Sequence, residues 1–302
     1  MSLLVTGSIG IDTVHTPHGR AENVLGGSAV YFSLAARPYA PVRLVAAVGE
    51  DFPAEFRRVL AEREIDLTGL EIRPGSRTFR WHGRFEGDMN EAETVDVELN
   101  VLAEQAPAVP PAFADSTTVF LANTHPTRQR EVLDRLRHPK LVVCDTMNLW
   151  IETERDSLLE TLRRVTGVIL NDAEARQLTG RTNLIQAGEA ILKLGPRFVI
   201  IKKGEHGSLL VTEEGAFPMP AFPAREVRDP TGAGDSFAGG VMGYLDARGA
   251  AYDPDSLRRA MVRGTVAASF TIEDFSTRRV ERLTKDEIER RVETFAAMLR
   301  VE

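Results

Sequence analysis

The feature that most constrains this chain is a recurrence of short, nearly continuous apolar runs separated by amphipathic stretches. The runs cover residues 3–9, 42–48, 118–122, 141–144, 167–170, 198–201 and 208–211. Between them, residues 54–63, 128–137, 157–165 and 184–194 carry apolar side chains at helical spacing. A strand that is apolar on both faces must be covered on both, and intervening helices supply that cover. The pattern predicts an α/β chain with a mostly parallel, buried sheet. Residues 236–247, 254–272 and 285–299 read as helices. No internal repeat or low-complexity linker divides the 302 residues, so one domain over 1–302 is expected.

One segment breaks the pattern. From Arg77 to Glu86 the residues alternate with period two, with Phe79, Trp81 and Phe85 on one face and Arg80, His82, Arg84 and Glu86 on the other. Gly87-Asp88-Met89-Asn90 can turn the chain, and residues 94–99 alternate again. This predicts an inserted antiparallel hairpin, solvated on one face. Such a hairpin suits a lid over a site and equally a contact between two copies of the chain.

Charge and cysteine usage limit the partners. A net charge of −7 lacks the basic footprint of a nucleic-acid binder. It still admits an anionic ligand, because a few local donors can hold a phosphate. No run of about 20 apolar residues is present to span a membrane. The single cysteine, Cys144, rules out an intrachain disulfide and reads as a small buried hydrophobe. With no basic n-region followed by an apolar stretch at the N-terminus, a cytoplasmic protein is expected. The histidines at 15, 18, 82, 125, 138 and 206 show no metal-ligand spacing.

The segment richest in chemistry is Asp229-Pro230-Thr231-Gly232-Ala233-Gly234-Asp235. A turn of small residues feeds an apolar helix, leaving backbone N–H groups unpaired at the helix N-terminus. Together with the helix dipole these form an anion site. Asp235 sits beside it. Taken alone, Asp235 reads as a helix cap or as a base that accepts a proton from a hydroxyl attacking a phosphoryl group. Gly239 and Gly240 inside the helix are expected to permit close packing.

This stretch resembles the signature of the PfkB/ribokinase family of carbohydrate and nucleoside kinases, both in its Gly-Ala-Gly-Asp core and in its spacing from Asp229. Other similarities follow in order along nearly the whole chain. Gly26-Gly27-Ser28 resembles the family's double-glycine motif at the sugar hydroxyls, and Asp12 the aspartate that binds those hydroxyls. Asn171-Asp172-Ala173-Glu174 is similar to the Asn-x-x-Glu motif that organises magnesium and the ATP phosphates, partly through water. Residues 202–207, with Lys203, Gly204 and Gly207, resemble the turn beneath the nucleotide. Gly264 falls in the helix that lines the adenine pocket, and Asp229 is the position that helps hold potassium.

The resemblance implies a ribokinase-like three-layer α/β/α sandwich with a small β-sheet lid formed by residues 12–23 and 71–101. It implies an ATP- and Mg2+-dependent kinase, with K+ as a further cation. Asp235 would be the general base, and Gly232, Ala233 and Gly234 the anion hole. The acceptor is a sugar, polyol or nucleoside. Two departures bear on it. Tyr31 stands where many sugar kinases of the family carry a substrate-binding Asn, and Pro230 where many carry Thr. With Phe79 and Trp81 in the lid, these favour a nucleoside (adenosine-like) or cyclic polyol over ribose or fructose. The alternative of another class is a non-catalytic sugar or nucleotide sensor on the same fold. A homodimer through the lid is expected from its exposed edges.

Overall fold

A computed structural model describes residues 2–300. In chain order the strands are β1 (Leu3–Thr6), β2 (Gly10–Thr16), β3 (Gly19–Gly26), β4 (Val42–Gly49), β5 (Asp66–Arg73), β6 (Phe79–Phe85), β7 (Ala92–Glu98), β8 (Thr118–Leu121), β9 (Leu141–Cys144), β10 (Gly167–Asn171), β11 (Phe198–Lys202), β12 (Ser208–Thr212) and β13 (Gly215–Met219). The helices are α1 (Ser28–Ala36), α2 (Ala54–Glu62), α3 (Pro126–Leu133), α4 (Asn148–Thr153), α5 (Arg155–Leu162), α6 (Asp172–Thr179), α7 (Leu184–Leu192), α8 (Ala233–Ala247), α9 (Pro254–Thr271) and α10 (Lys285–Met298).

Nine strands form one sheet in the order β13-β12-β11-β10-β9-β8-β1-β4-β5. It is parallel from β11 to β5, while β12 and β13 add antiparallel at one edge. Alternate residues of each strand enter opposite cores. Val5, Leu44, Val143, Ile169 and Ile200 pack with α1, α8, α9 and α10. Leu4, Val45, Val142, Val168 and Val199 pack with α3, α5, α6 and α7. That is the three-layer sandwich which the apolar runs predict, and Cys144 is buried in the second core.

The lid is larger and differently bounded than expected. Four strands form a second sheet in the order β3-β2-β6-β7. The hairpin β6–β7 is antiparallel, and β2 joins β6 in parallel. Residues 71–73 belong to β5 in the main sheet, so the expected start at 71 is corrected: the second lid segment begins with β6. The first extends over both β2 and β3.

Register sets the two faces of the lid. Asp12 pairs with Trp81 and Val14 with Gly83, which places Asp12, Trp81 and Val14 on one side. Val14, Phe85 and Met89 cluster there with Trp81 and with Val227, just upstream of Asp229. The indole lies over Gly83, where a Cβ would meet Trp81 Cη2 at 2.0 Å. The opposite face carries Arg80, His82 and Arg84 across from Glu98, Asp96 and Glu93. Asn90, at the hairpin tip, reaches the β11–β12 turn, where its Nδ2 donates to Glu205 Oε1 at 3.0 Å.

Candidate active site

In an open parallel sheet, ligands bind beyond the C-terminal ends of the strands. Asn171 ends β10, Lys202 ends β11 and Asp145 follows β9 at that edge. The helix α8 meets them with its N-terminus. Gly232 is its N-cap in the left-handed region, at φ 74°, and no side chain caps the helix. Asp235 therefore lies inside the first turn and does no capping, which decides against the cap reading. Its carboxyl is pushed up to about 7 by burial, then by Asp145, with Lys202 pulling the other way.

The turn before α8 is pinned by Asp229. This carboxylate is buried, and each oxygen accepts one backbone N–H: Thr231 N donates to Oδ1 and Ser276 N to Oδ2, both at 2.9 Å. Ser276 Oγ donates in turn to Leu25 O at 2.6 Å, beside the double glycine. One chain of hydrogen bonds thus joins the anion turn to the acceptor loop.

That loop is built around Asp12. A Cβ on Gly26 would lie 1.8 Å from Asp12 Oδ2, so only glycine leaves room for the carboxyl. Gly27 adopts φ 99°, with a Cβ position 2.5 Å from Ser8 O. Asp12 Oδ1 is buried without a hydrogen-bond partner among the described residues. Burial, with Asp229 and Asp235 nearby, pushes the Asp12 carboxyl up to about 8, although the Gly27 backbone N–H favours the ionised form.

Asn171 and Glu174 form a complete capping box at α6. Glu174 N donates to Asn171 Oδ1 at 2.8 Å, and Asn171 N to Glu174 Oε2 at 2.7 Å. Glu174 is nonetheless buried at the edge of the same site. Its carboxyl is raised to about 7 by burial, then by Asp145, with Lys202 opposing.

With this geometry in place, the comparisons are decisive. The sequence matches the pfkB family of carbohydrate kinases over residues 3–282. The chain belongs to that family. A cytidine kinase of Thermococcus kodakarensis is 32% identical over 257 residues, covering 82% of this chain and 90% of the relative. A nucleoside kinase of Burkholderia thailandensis, solved with inosine, superposes with a TM-score of 0.79 at 18% identity, covering 98% of this chain and 99% of the other. A nucleoside kinase of Methanocaldococcus jannaschii, described as an archaeal member of the ribokinase family, gives 0.77 at 20% identity, covering 97% and 98%. The fold is thus ribokinase-like, and the pfkB-family chain is an ATP-dependent kinase of sugars or nucleosides.

Within this pfkB kinase, several of the expected residues are closely engaged by protein neighbours. Tyr31, expected at the acceptor, is 1% exposed. Its ring lies against Gly232, where a Cβ would meet it at 2.3 Å, and its hydroxyl, pushed up by burial, lies near Asp229, Asp12 and Asp235. The Ser28 hydroxyl is engaged with Ser8 Oγ at 3.0 Å and Asn123 O at 3.3 Å. Gly264, expected at the adenine, instead faces α8, with a Cβ position 2.7 Å from Phe237 O. Gly240 approaches it from the other helix, where a Cβ would lie 2.9 Å from Gly264 Cα. Lys203 points back along its own turn, toward His206 O at 3.4 Å. Gly204 and Gly207 have φ of 53° and 81°, which the tight turn requires.

The sequence reading did not single out Asp145, Ser276 or, ahead of Lys203, Lys202. Lys202 Nζ donates to Asp145 Oδ2 at 3.1 Å. Burial alone would lower the pKa of this lysine, but Asp145, Glu174 and Asp235 outweigh it and raise it above the ordinary lysine value. A signal was available. Both residues directly follow apolar runs, at the strand ends where ligands of such sheets bind.

Proposed function

We propose that this kinase transfers the γ-phosphoryl group of ATP to a hydroxyl of a nucleoside. The observation that carries the acceptor class is the register Asp12↔Trp81. It sets a hydroxyl-accepting carboxyl and an aromatic plane on neighbouring strands, on one face of the lid. A sugar ring with a flat base attached matches that pair, whereas a bare sugar would leave the indole unused. The similarity to a cytidine kinase supports the same reading.

In the mechanism, Asp12 and the backbone at Gly26-Gly27 orient the acceptor. Asp235 takes the proton of the attacking hydroxyl. The anion turn Gly232-Ala233-Gly234 holds the transferring phosphoryl through the N–H groups of Gly232 and Gly234, since that of Ala233 donates to Pro230 O at 3.1 Å, and closure of the lid excludes water. Glu174 and Asn171 suit a magnesium ion held partly through water, because Oε2 is engaged in the cap and magnesium takes few protein carboxylates. When bound, it neutralises charge on the β and γ phosphates. Potassium fits at Asp229, a buried carboxylate that pairs with no lysine or arginine among the described residues and keeps a lone pair on each oxygen. Replacing potassium by tetramethylammonium tests that assignment.

The proposed enzyme is cytoplasmic; no helix among the described residues is long and apolar enough to cross a membrane. It is proposed to dimerise through the lid, whose edge strand β7 is exposed and carries Val95 and Val97 at 43% and 47% exposure. The deciding assay measures ADP formation with a panel of nucleosides, sugars and polyols. Turnover limited to nucleosides upholds the proposal. Turnover with bare sugars alone would reassign the acceptor, and ligand binding without any ADP would make the protein a sensor.

A further inference from the structure

Three carboxyl groups, Asp145, Glu174 and Asp235, face one cation, Lys202, at the edge of the anion turn. A site meant to receive a polyphosphate would be repulsive if that cation served only to pair one of them. Its surroundings point to more. The ammonium lies 3.1 Å from the position a Cβ on Gly234 would take, directly beside the turn. Asp145 accepts from one of its three N–H donors.

Asp145 is itself held rigidly. Its N–H donates to Leu121 O at 2.9 Å. Its carbonyl accepts from buried Gln129 Nε2 at 3.0 Å, and its Oδ1 accepts from Thr146 N at 2.7 Å. Gln129 also bonds Leu121 O and Ala122 O at 3.1 Å, locking the ends of β8 and β9 together. A buried ion pair contributes little to stability over apolar replacements, so this much support around a lone lysine favours a ligand-directed role.

We propose that Lys202, oriented by Asp145, binds the terminal phosphate of the triphosphate at the α8 N-terminus and so makes the site prefer ATP to ADP. A lysine acts there as a point charge, as in other phosphate sites. The inference rests on the kinase reading, but its test needs neither an acceptor nor turnover. Asp145 is a positioning residue, and Lys202 the one that touches the nucleotide.

The experiment compares calorimetric affinities for ADP and for a non-hydrolysable ATP analogue, both with magnesium. For Lys202→Met, affinity for the ATP analogue should fall by about 10- to 100-fold while that for ADP changes by less than about threefold. Because the single change leaves buried carboxylates without their cation, the double variant Asp145→Asn/Lys202→Met is measured beside it. It should recover the wild-type melting temperature and keep the loss of ATP preference. Lys202→Arg should retain part of that preference. Equal losses for both nucleotides, or a double variant that regains ATP preference along with its stability, would overturn the proposal. Wild-type protein that binds neither nucleotide would overturn the kinase reading with it.

Discussion

The two ends of the active site are made differently. The proposed phosphoryl-transfer end is local: a turn pinned by both oxygens of Asp229, the first turn of α8, and strand ends of the nine-stranded sheet. The acceptor end hangs on a separate four-stranded sheet whose outer strand is exposed. Ser276 bridges the two, bonding Asp229 on one side and Leu25 on the other. In the proposed mechanism, chemistry that depends on close placement is thus carried by the nine-stranded layer, and recognition of the acceptor by the smaller sheet.

The largest expected effect breaks the phosphoryl-transfer end alone. Asp235→Asn should lower kcat by about 10²- to 10⁴-fold, the usual range for a positioned base, with the KM for ATP little changed. Wild-type kcat/KM should climb as pH rises through about 7, because the base works only when ionised and its carboxyl is raised to that value. A flat profile from pH 5 to 8, measured with initial rates, would remove Asp235 from that role.

The next effect belongs to the acceptor end. Gly26→Ala forces a Cβ into the Asp12 carboxyl, 1.8 Å from Oδ2. The acceptor KM should rise by roughly tenfold or more, and overpacking should cost about 1–3 kcal/mol of stability. ATP-analogue affinity should stay near wild type. If nucleotide affinity falls in parallel, the two ends are not separable in the way the fold suggests.

Asp12→Asn sharpens the same division through stability. In wild type, burial pushes the Asp12 carboxyl up to about 8, so the folded state keeps its proton, whereas the unfolded chain releases it near the ordinary value of 3.8. Between these values the folded state binds more protons, so stability falls as pH rises. Asparagine removes that loss. The melting temperature should rise by a few degrees at pH 8 and hardly change at pH 4, while acceptor binding is lost. Equal shifts at both pH values would mean that the Asp12 carboxyl is not held protonated by the fold.

The same contrast explains what the sequence made legible. The α/β sandwich follows from apolar runs, each of which is local. The residues from Asp229 to Asp235 are contiguous, so their turn, their N–H groups and their carboxylate can be read together. The acceptor end could not be read that way. Strand β3 is half polar, with Arg20, Glu22 and Asn23, and shows no apolar alternation. The neighbourhood of Asp12 and Trp81 exists only because β2 pairs in parallel with a distant strand. Lys202 and Asp145 are 57 residues apart and meet through the strand order. The surroundings of Tyr31 and Gly264 were hidden for a related reason: spacing gives a position along a helix, but packing decides which neighbour that position faces.

The smallest expected effect tests the contact between the two ends. Asn90 at the lid tip bonds Glu205 in both directions, at 3.0 and 3.4 Å, across to the turn after β11. Both partners are exposed, so the bond should add no more than about 1 kcal/mol. Asn90→Ala should therefore leave the melting temperature and kcat unchanged. What it should change is coupling. If this contact transmits lid position to the nucleotide side, then a bound ATP analogue tightens nucleoside binding in wild type, and by symmetry the nucleoside tightens the analogue to the same degree. In Asn90→Ala both enhancements should shrink together, by about two- to fivefold, with each ligand's affinity in isolation preserved. Unchanged coupling would assign the link between the two ends to contacts other than Asn90, Ser276 among them.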